Sequence, residues 1–274
     1  MKYHVHGADI TEAMKQMIHF HLYSSKVDFV GASHTHLFDM VITADTCDYD
    51  IDIGKTLWFS KSRWNRLLNK YVDFERLKIF LDRSKRIVGG TGTTVGMLFK
   101  DPESQDEARV HRWGGCLQSL IFRIGSDKQP ELVMNSRTCF AGYMACIDAG
   151  LVYHISKEII DPESIKFRWN IADQQISYGR ILAYIFSDKD LLKTFKKYKE
   201  SDHSSPTWRN VKGVFRRNFQ AYDEKYWSKG KYVFSKYGPI KRLQIRYLAV
   251  NGHKQFEKKI ISFNMRDFDL KERL

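Results

Sequence analysis

In the stretch RWGGCLQSLIFRI, residues 112–124, a cysteine stands behind two glycines and in front of an apolar run. Cys116 could be a nucleophile at the mouth of a strand. It could equally be a small buried apolar side chain, as free cysteines often are. A catalytic thiol needs access, a lowered pKa and positive charge close by. The paired glycines supply access, and Arg112 and Arg137 could supply charge, the latter from the segment LVMNSRT. A guanidinium fork also matches phosphate oxygens, so Arg137 suits a phosphate group; the ordinary alternative is a surface charge on a strand. Three H-x-H pairs occur early: His4/His6, His19/His21 and His34/His36. On a strand such a pair shares one face and could hold a metal, whereas a helix separates the rings, and residues 19–21 fall in a helical pattern. No carboxylate or cysteine completes a ligand set, so no metal is expected. GGTGTTVG, residues 89–96, fits neither the dinucleotide fingerprint nor the P-loop and reads as a bent strand.

These residues need elements to position them. Ile10, Met14, Met17, Ile18 and Leu22 recur at helical spacing within residues 9–24, with Thr11 a possible cap. VDFVG at 27–31 predicts a short strand, and residues 54–82 a helical region with Leu57, Trp58, Leu67, Leu68, Tyr71, Leu77, Phe80 and Leu81 as core candidates. Residues 86–98 are β-branched and glycine-rich, which predicts a strand with a bulge. QSLIFRI, SDKQ and PELVMNS read as strand, turn and strand. Residues 141–159 form a helix with Ala145, Ala149, Val152 and Ile155 inward, DPES a loop, KFRWNI a strand and 178–198 another helix. Residues 1–200 show no internal boundary, and SDHSSP at 201–206 is the one plausible joint before a C-terminal part, 201–274.

The 274 residues can bury a sizeable core. No apolar run approaches a membrane span, and the start lacks the apolar core of a signal peptide. Cys47, Cys116, Cys139 and Cys146 show neither CxxC pairing nor zinc spacing, so reduced thiols in a cytoplasm, a host's if the protein is viral, are expected. The net charge of +13 is not spread evenly. Residues 189–260 carry 19 Lys and Arg against 6 Asp and Glu, while the remainder is balanced at 26 of each. Interleaved aromatics (Trp208, Phe215, Phe219, Tyr222, Tyr226 and Trp227) make nucleic acid one reading of this segment. A solvated basic surface is the other.

The order Cys, strand, turn, strand, Arg, helix resembles thymidylate synthase and its relatives, the phage deoxynucleotide hydroxymethylases, over roughly residues 27–186. GGCLQSLIFRI resembles the segment with the nucleophilic cysteine, and SRT at 136–138 resembles the Arg-Ser pair that grips the nucleotide phosphate. Asp148 lies 11 positions after Arg137, where the synthases carry an asparagine reading the pyrimidine edge and the cytidylate hydroxymethylases an aspartate. RWNIADQQISYGR resembles the late strand-loop segment, DRSKR at 82–86 the basic pair that reaches a partner's phosphate, and VGAS with LWFSKSRW the early part of the phage enzymes. The resemblance implies an α/β (α+β) fold, a large mixed sheet flanked by helices, in a homodimer. It implies a thiolate adding to carbon 6 of a pyrimidine nucleotide, so that carbon 5 attacks a one-carbon unit from 5,10-methylenetetrahydrofolate. Water then captures the intermediate in hydroxymethylases, and hydride reduces it in synthases.

The site implied is Cys116 and Lys55 for chemistry, with Arg137, Thr138, Asp148, Lys85, Arg86, Gln175 and Ser177 for the substrate. Lys55 is a departure: the family has a glutamate there, and Asp52 is the nearest carboxylate. Gln175 and Ser177 stand where the family has a His and a Tyr that hold the sugar hydroxyl, with Tyr178 one step along. Phe140 and Met144 replace the Asp and Gly expected after the Arg-Ser pair. Each residue has a plainer reading too. Asp148 could cap or solvate a helix, Lys85 and Arg86 could be surface charges, Gln175 and Ser177 loop hydrogen-bonders, and Cys139 and Cys146 core thiols. The departures leave two alternatives beside the mononucleotide enzyme. One is a nucleic-acid-binding protein on the same fold, and the other an enzyme acting on nucleotides within a polymer.

Overall fold

The computed structural model describes residues 3–23, 28–29, 34–50, 64–65, 68–69, 71–100, 116–140, 144–177 and 270–274. They form a mixed α/β structure. In chain order the main elements are β1 (Tyr3–Gly7), α1 (Ile10–Tyr23), β2 (Asp28–Phe29), β3 (His34–Ala44) and α2 (Phe74–Val88). Then come β4 (Thr94–Leu98), β5 (Leu117–Ile124), β6 (Pro130–Phe140), α3 (Met144–Ile159) and β7 (Lys166–Ser177). The sheet runs β1-β3-β7-β6-β5-β4, with β2 paired to β3. β1 with β3 and β6 with β7 are parallel; every other pair is antiparallel. Each parallel pair is joined through a helix, α1 or α3, because parallel neighbours need a crossover. α1 packs on β1 and β3, α3 on β6, and α2 on β4 and β5, with α3 touching both other helices. The helices therefore share one face of the sheet, here called inner.

Patterning explains which residues face inward. In β1, Tyr3, Val5 and Gly7 are buried while His4 and His6 are exposed and reach the Thr43 hydroxyl at 2.8 and 3.1 Å. Ile10, Met14, Met17 and Ile18 of α1 are fully buried, as are Ala145, Ala149, Val152 and Ile155 of α3. They meet Ile42, Leu120, Phe122, Leu132, Met134, Phe167 and Trp169 from the sheet. Each large apolar side chain so buried contributes about 1.5–3 kcal/mol.

Several expected boundaries shift. Asp9, not Thr11, caps α1: its carboxylate accepts from Glu12 N at 2.7 Å, and Glu12 accepts from Ala8 N at 2.8 Å. This reciprocal pairing satisfies two otherwise orphaned donors. The Thr11 hydroxyl instead accepts from Asp50 N at 2.7 Å. Within the helical region expected over 54–82, residues 64–65, 68–69 and 71 are helical; the helix breaks at 72–73, and α2 then ends later than its spacing predicts. Asp73 caps its start, and it continues through Lys85 and Arg86 to Val88, with Gly89 N–H donating to the Lys85 carbonyl and Gly90 N–H to the Ile87 carbonyl, each at 3.0 Å. GGTGTTVG is thus a helix-ending turn, with Gly90 and Gly92 at φ 89° and 88°, before a short strand. DPES forms a 3-10 turn capped by Asp161. KFRWNI continues as strand to Ser177, so Gln175 and Ser177 lie on β7 rather than in a loop. The C-terminal part except its last five residues, the 201–206 joint and the 178–198 helix lie outside the described residues.

One irregularity crosses four strands at a single level. Core-facing residues two apart become three apart: Leu117 and Leu120 in β5, Ser136 and Cys139 in β6, Ile171 and Gln174 in β7, Leu37 and Met40 in β3. The ladders skip Gln118, Arg137, Ala172 and Asp39 there. Asp39 takes φ 57°, which an Asp tolerates better than most residues. An extra residue reverses the inward and outward alternation beyond it.

Candidate active site

The shared bulge decides what Arg137 can do. A regular strand would alternate Ser136 inward, Arg137 outward, Thr138 inward. Instead Arg137 and Thr138 both stay off the core, Arg137 exposed and Thr138 half-buried, and Cys139 turns into it. Arg137 N–H donates to the Cys116 carbonyl at 2.9 Å, which fixes the cysteine at the mouth of β5 directly beside the arginine. Asp148 is carried on the second turn of α3, which follows β6 and lies on the inner face. Three elements thereby bring Cys116, Arg137 and Asp148 together, and the Arg137 and Asp148 charges both act on the Cys116 thiol.

The thiol itself departs from expectation. Cys116 is only 8% exposed. Burial, then the Asp148 carboxylate, pushes it up to about 11, with Arg137 pulling the other way. The anticipated lowering is absent because desolvation of the thiolate outweighs one nearby guanidinium. Asp148, 2% exposed, is itself held well above the ordinary carboxylate range by burial.

Tyr71 completes the buried cluster. It is 2% exposed, and burial, with Asp148, Cys116 and Cys139, keeps its phenol protonated. Its apolar spacing marks it only as core; nothing in the sequence separates it from its buried neighbours Leu68 and Val72. Cys139 and Cys146 are buried free thiols, raised by burial, the latter to about 12.

Of the other expected residues, Lys85, Arg86 and Gln175 are carried on other elements. Lys85 and Arg86 are exposed in the last turn of α2, where cations complement the helix C-terminus. Gln175 is half-buried on β7 and donates to Asp173, whose other oxygen lies 3.0 Å from His36 Nδ1. Lys55, Asp52 and Arg112 lie outside the described residues. On the outer face at the bulge, a cleft of about 370 Å³ is lined by residues including Asp39, Gln118, Asn135, Ser136 and Asn170. Its amides are linked: Asn170 donates to Asn135 at 2.8 Å, and Asn135 to the Ser119 hydroxyl at 2.9 Å. Among the described residues, no group of three or more His, Cys, Asp or Glu could hold a metal ion. Also among them, no helix is long and apolar enough to cross a membrane.

No protein-family model matches the chain, and no curated protein matches it in sequence.

Proposed function

We propose that the chain is a divergent thymidylate synthase-like protein that transfers a one-carbon unit to carbon 5 of a pyrimidine nucleotide. The observation that carries this reading is the convergence of Cys116, Arg137 and Asp148 from three elements in the chain order that the resemblance implies. In this reading Arg137 and Thr138 take the phosphate, and Asp148 faces the edge of the base. The Cys116 sulfur bonds to carbon 6 as its proton leaves. Carbon 5 then attacks the one-carbon donor, by resemblance the co-substrate methylenetetrahydrofolate. Loss of the carbon 5 proton would break the bond to the donor nitrogen and release tetrahydrofolate, leaving an exocyclic methylene; water adds to that carbon, and expulsion of the thiolate from carbon 6 would give a hydroxymethyl product. Lys85, Arg86, Lys55 and Ser177 keep their proposed roles from the resemblance, and a homodimer belongs to the same proposal.

The test is mass spectrometry of the chain incubated with fluorinated pyrimidine nucleotides and the one-carbon donor. Fluorine at carbon 5 blocks loss of the proton there, so an adduct on the Cys116 peptide is expected. Cys116→Ser should show none, since an alcohol is a far poorer nucleophile than a thiolate. An equal adduct yield in that variant would end the thiol mechanism. The nucleic-acid reading is favoured by one observation, the confinement of the excess positive charge to residues 189–260.

A further inference from the structure

We propose that His4 and His6 of β1, with Thr43 of β3, bind a late first-row divalent cation, Zn²⁺ or Cu²⁺, on the outer face of the sheet; the site is independent of the nucleotide reading. The two imidazoles stand on one side of β1, where both residues are exposed while Tyr3, Val5 and Gly7 are buried on the other. They converge on a single atom. His4 Nε2 lies 2.8 Å from Thr43 Oγ1, and His6 Nδ1 lies 3.1 Å from it. Ligand atoms bonded to one cation at about 2.0–2.1 Å stand roughly 3 Å from each other. Both nitrogen–oxygen separations already have that size, so small turns of two exposed rings let one cation join all three atoms. Imidazole is a ligand that suits zinc and copper. The metal takes the place of the proton on each nitrogen it bonds, so the site does not depend on which ring nitrogen carries one beforehand.

The surroundings suit a pair of ligands. Asp45 Oδ2 stands 3.4 Å from His6 Nε2. A histidine that ligates through one nitrogen characteristically donates its other N–H to a carboxylate, which fixes the ring. The Thr43 hydroxyl donates to the Val5 carbonyl at 3.4 Å, which leaves the oxygen lone pairs for the rings or a cation. His6 is opposite Thr43 in the parallel ladder, so the cation would fasten β1 to β3 at the β1 end of the sheet. With two imidazoles and a hydroxyl as ligands, water takes the remaining positions, as in open zinc sites. The other H-x-H pairs are engaged differently: His21 is buried against Gln174, and His36 meets Asp173. Sequence spacing offers the histidine pair and no third ligand. Thr43 enters only through the register of β3 on β1.

The test is calorimetric titration with Zn²⁺ of the full chain, carrying no histidine tag, beside His4→Asn, His6→Asn and Thr43→Val. The parent should bind a first ion at one per chain. Its thermal unfolding should rise by about 5–10 °C when free Zn²⁺ is a hundredfold above Kd. Each histidine variant should bind that ion about tenfold or more weakly, since loss of even an outer-shell partner costs as much. Paramagnetic resonance of bound Cu²⁺ should show coupling to two imidazole nitrogens in the parent and to one in either histidine variant. Without metal, the three variants should unfold near the parent's temperature, because the histidines are exposed and valine suits a strand. Undiminished Zn²⁺ affinity in either histidine variant overturns the site, and so does a parent that takes up no ion. Parental affinity in Thr43→Val overturns the three-atom assignment. A copper spectrum that is the same in parent and histidine variants places the ion elsewhere and overturns it as well.

Discussion

A thiol and a carboxyl packed into one interior compete, because a low-dielectric site stabilises one negative charge poorly and two hardly at all. Burial pushes Asp148 well above the ordinary carboxylate range and, with the Asp148 carboxylate, raises Cys116 to about 11. At pH 7 a thiol at 11 is ionised in roughly one molecule in ten thousand, so thiolate formation would have to accompany attack, helped by Arg137. The upward push on Asp148 also has a use, because it makes the carboxyl a readier proton donor to a base. Cytosine has an acceptor nitrogen beside its amino group, and a buried acid can hand it a proton to form a charge-assisted bidentate pair. Uracil already carries a proton on that nitrogen, and an amide has none to give. Asp148→Asn should therefore shift relative affinity from deoxycytidylate toward deoxyuridylate by roughly tenfold. Unchanged relative affinity would place Asp148 outside the base site. His21 illustrates the same physics with opposite charge. It is fully buried against Gln174, 2.9 Å away, and burial lowers it from 6.5 to about 4. Its folded value lies below its unfolded one, so the unfolded chain binds the extra proton. Stability is whole above about pH 6.5 and falls toward pH 4, by about 3 kcal/mol from this group. Urea titrations across that range should show the fall, and His21→Gln, which keeps an amide partner for Gln174, should flatten it. An identical slope in the variant would assign the acid sensitivity elsewhere.

Elements built on a clean period were legible, and those built on its interruption were not. α1, α3 and the β5–β6 hairpin follow directly from apolar spacing of 3.6 or 2 and from SDKQ between the strands. The order of Cys116, Arg137 and Asp148 along the chain was legible as well. The bulge was not. Core positions three apart, such as Ile171 and Gln174, look like the end of a strand, so KFRWNI appears to stop before Gln175 when it runs on to Ser177. Register across strands is invisible to a one-dimensional pattern, which is why the His36–Asp173 pair went unread. The end of α2 was missed because β-branched Ile87 and Val88 mimic a strand start, while the helix gains its closure from Gly89. The β1–α1 junction supplies a prediction at this scale. A Cβ on Gly7 would sit 2.3 Å from Ala13 N and 2.8 Å from its Cα, both backbone atoms of α1 that cannot swing aside. Gly7→Ala should cost about 3 kcal/mol or more, beyond ordinary overpacking, because the strand end and the helix must separate. Thermal unfolding measures it; a loss below about 1 kcal/mol would mean that the junction yields easily.

At the scale of the whole molecule, charge divides the chain in a way that apolar patterning does not. On the outer face of the sheet, cations are matched locally. Arg123 and Arg168 both pair with Glu131, at 2.6 and 3.2 Å, and Lys166 pairs with Asp127. The excess of positive charge belongs instead to residues 189–260, where aromatics are interleaved with it. Two forecasts diverge from that fact. If the segment draws in mononucleotides, it raises their local concentration and association rate without forming a polymer site. If it engages nucleic acid, each neutralised phosphate releases a counterion, and log affinity for single strands falls with log salt by about 0.7 per contact. Stacking on the aromatics would then favour single strands over duplex. Replacing Lys196, Lys197, Arg216 and Arg217 with Gln separates the two. On the polymer reading, the salt slope for a single-stranded oligonucleotide should drop by up to about 3, with affinity falling alike for every sequence. On the mononucleotide reading the parent shows little polymer affinity even at low salt. The four substitutions would then slow nucleotide association, and the yield of the Cys116 adduct at saturation would stay the same.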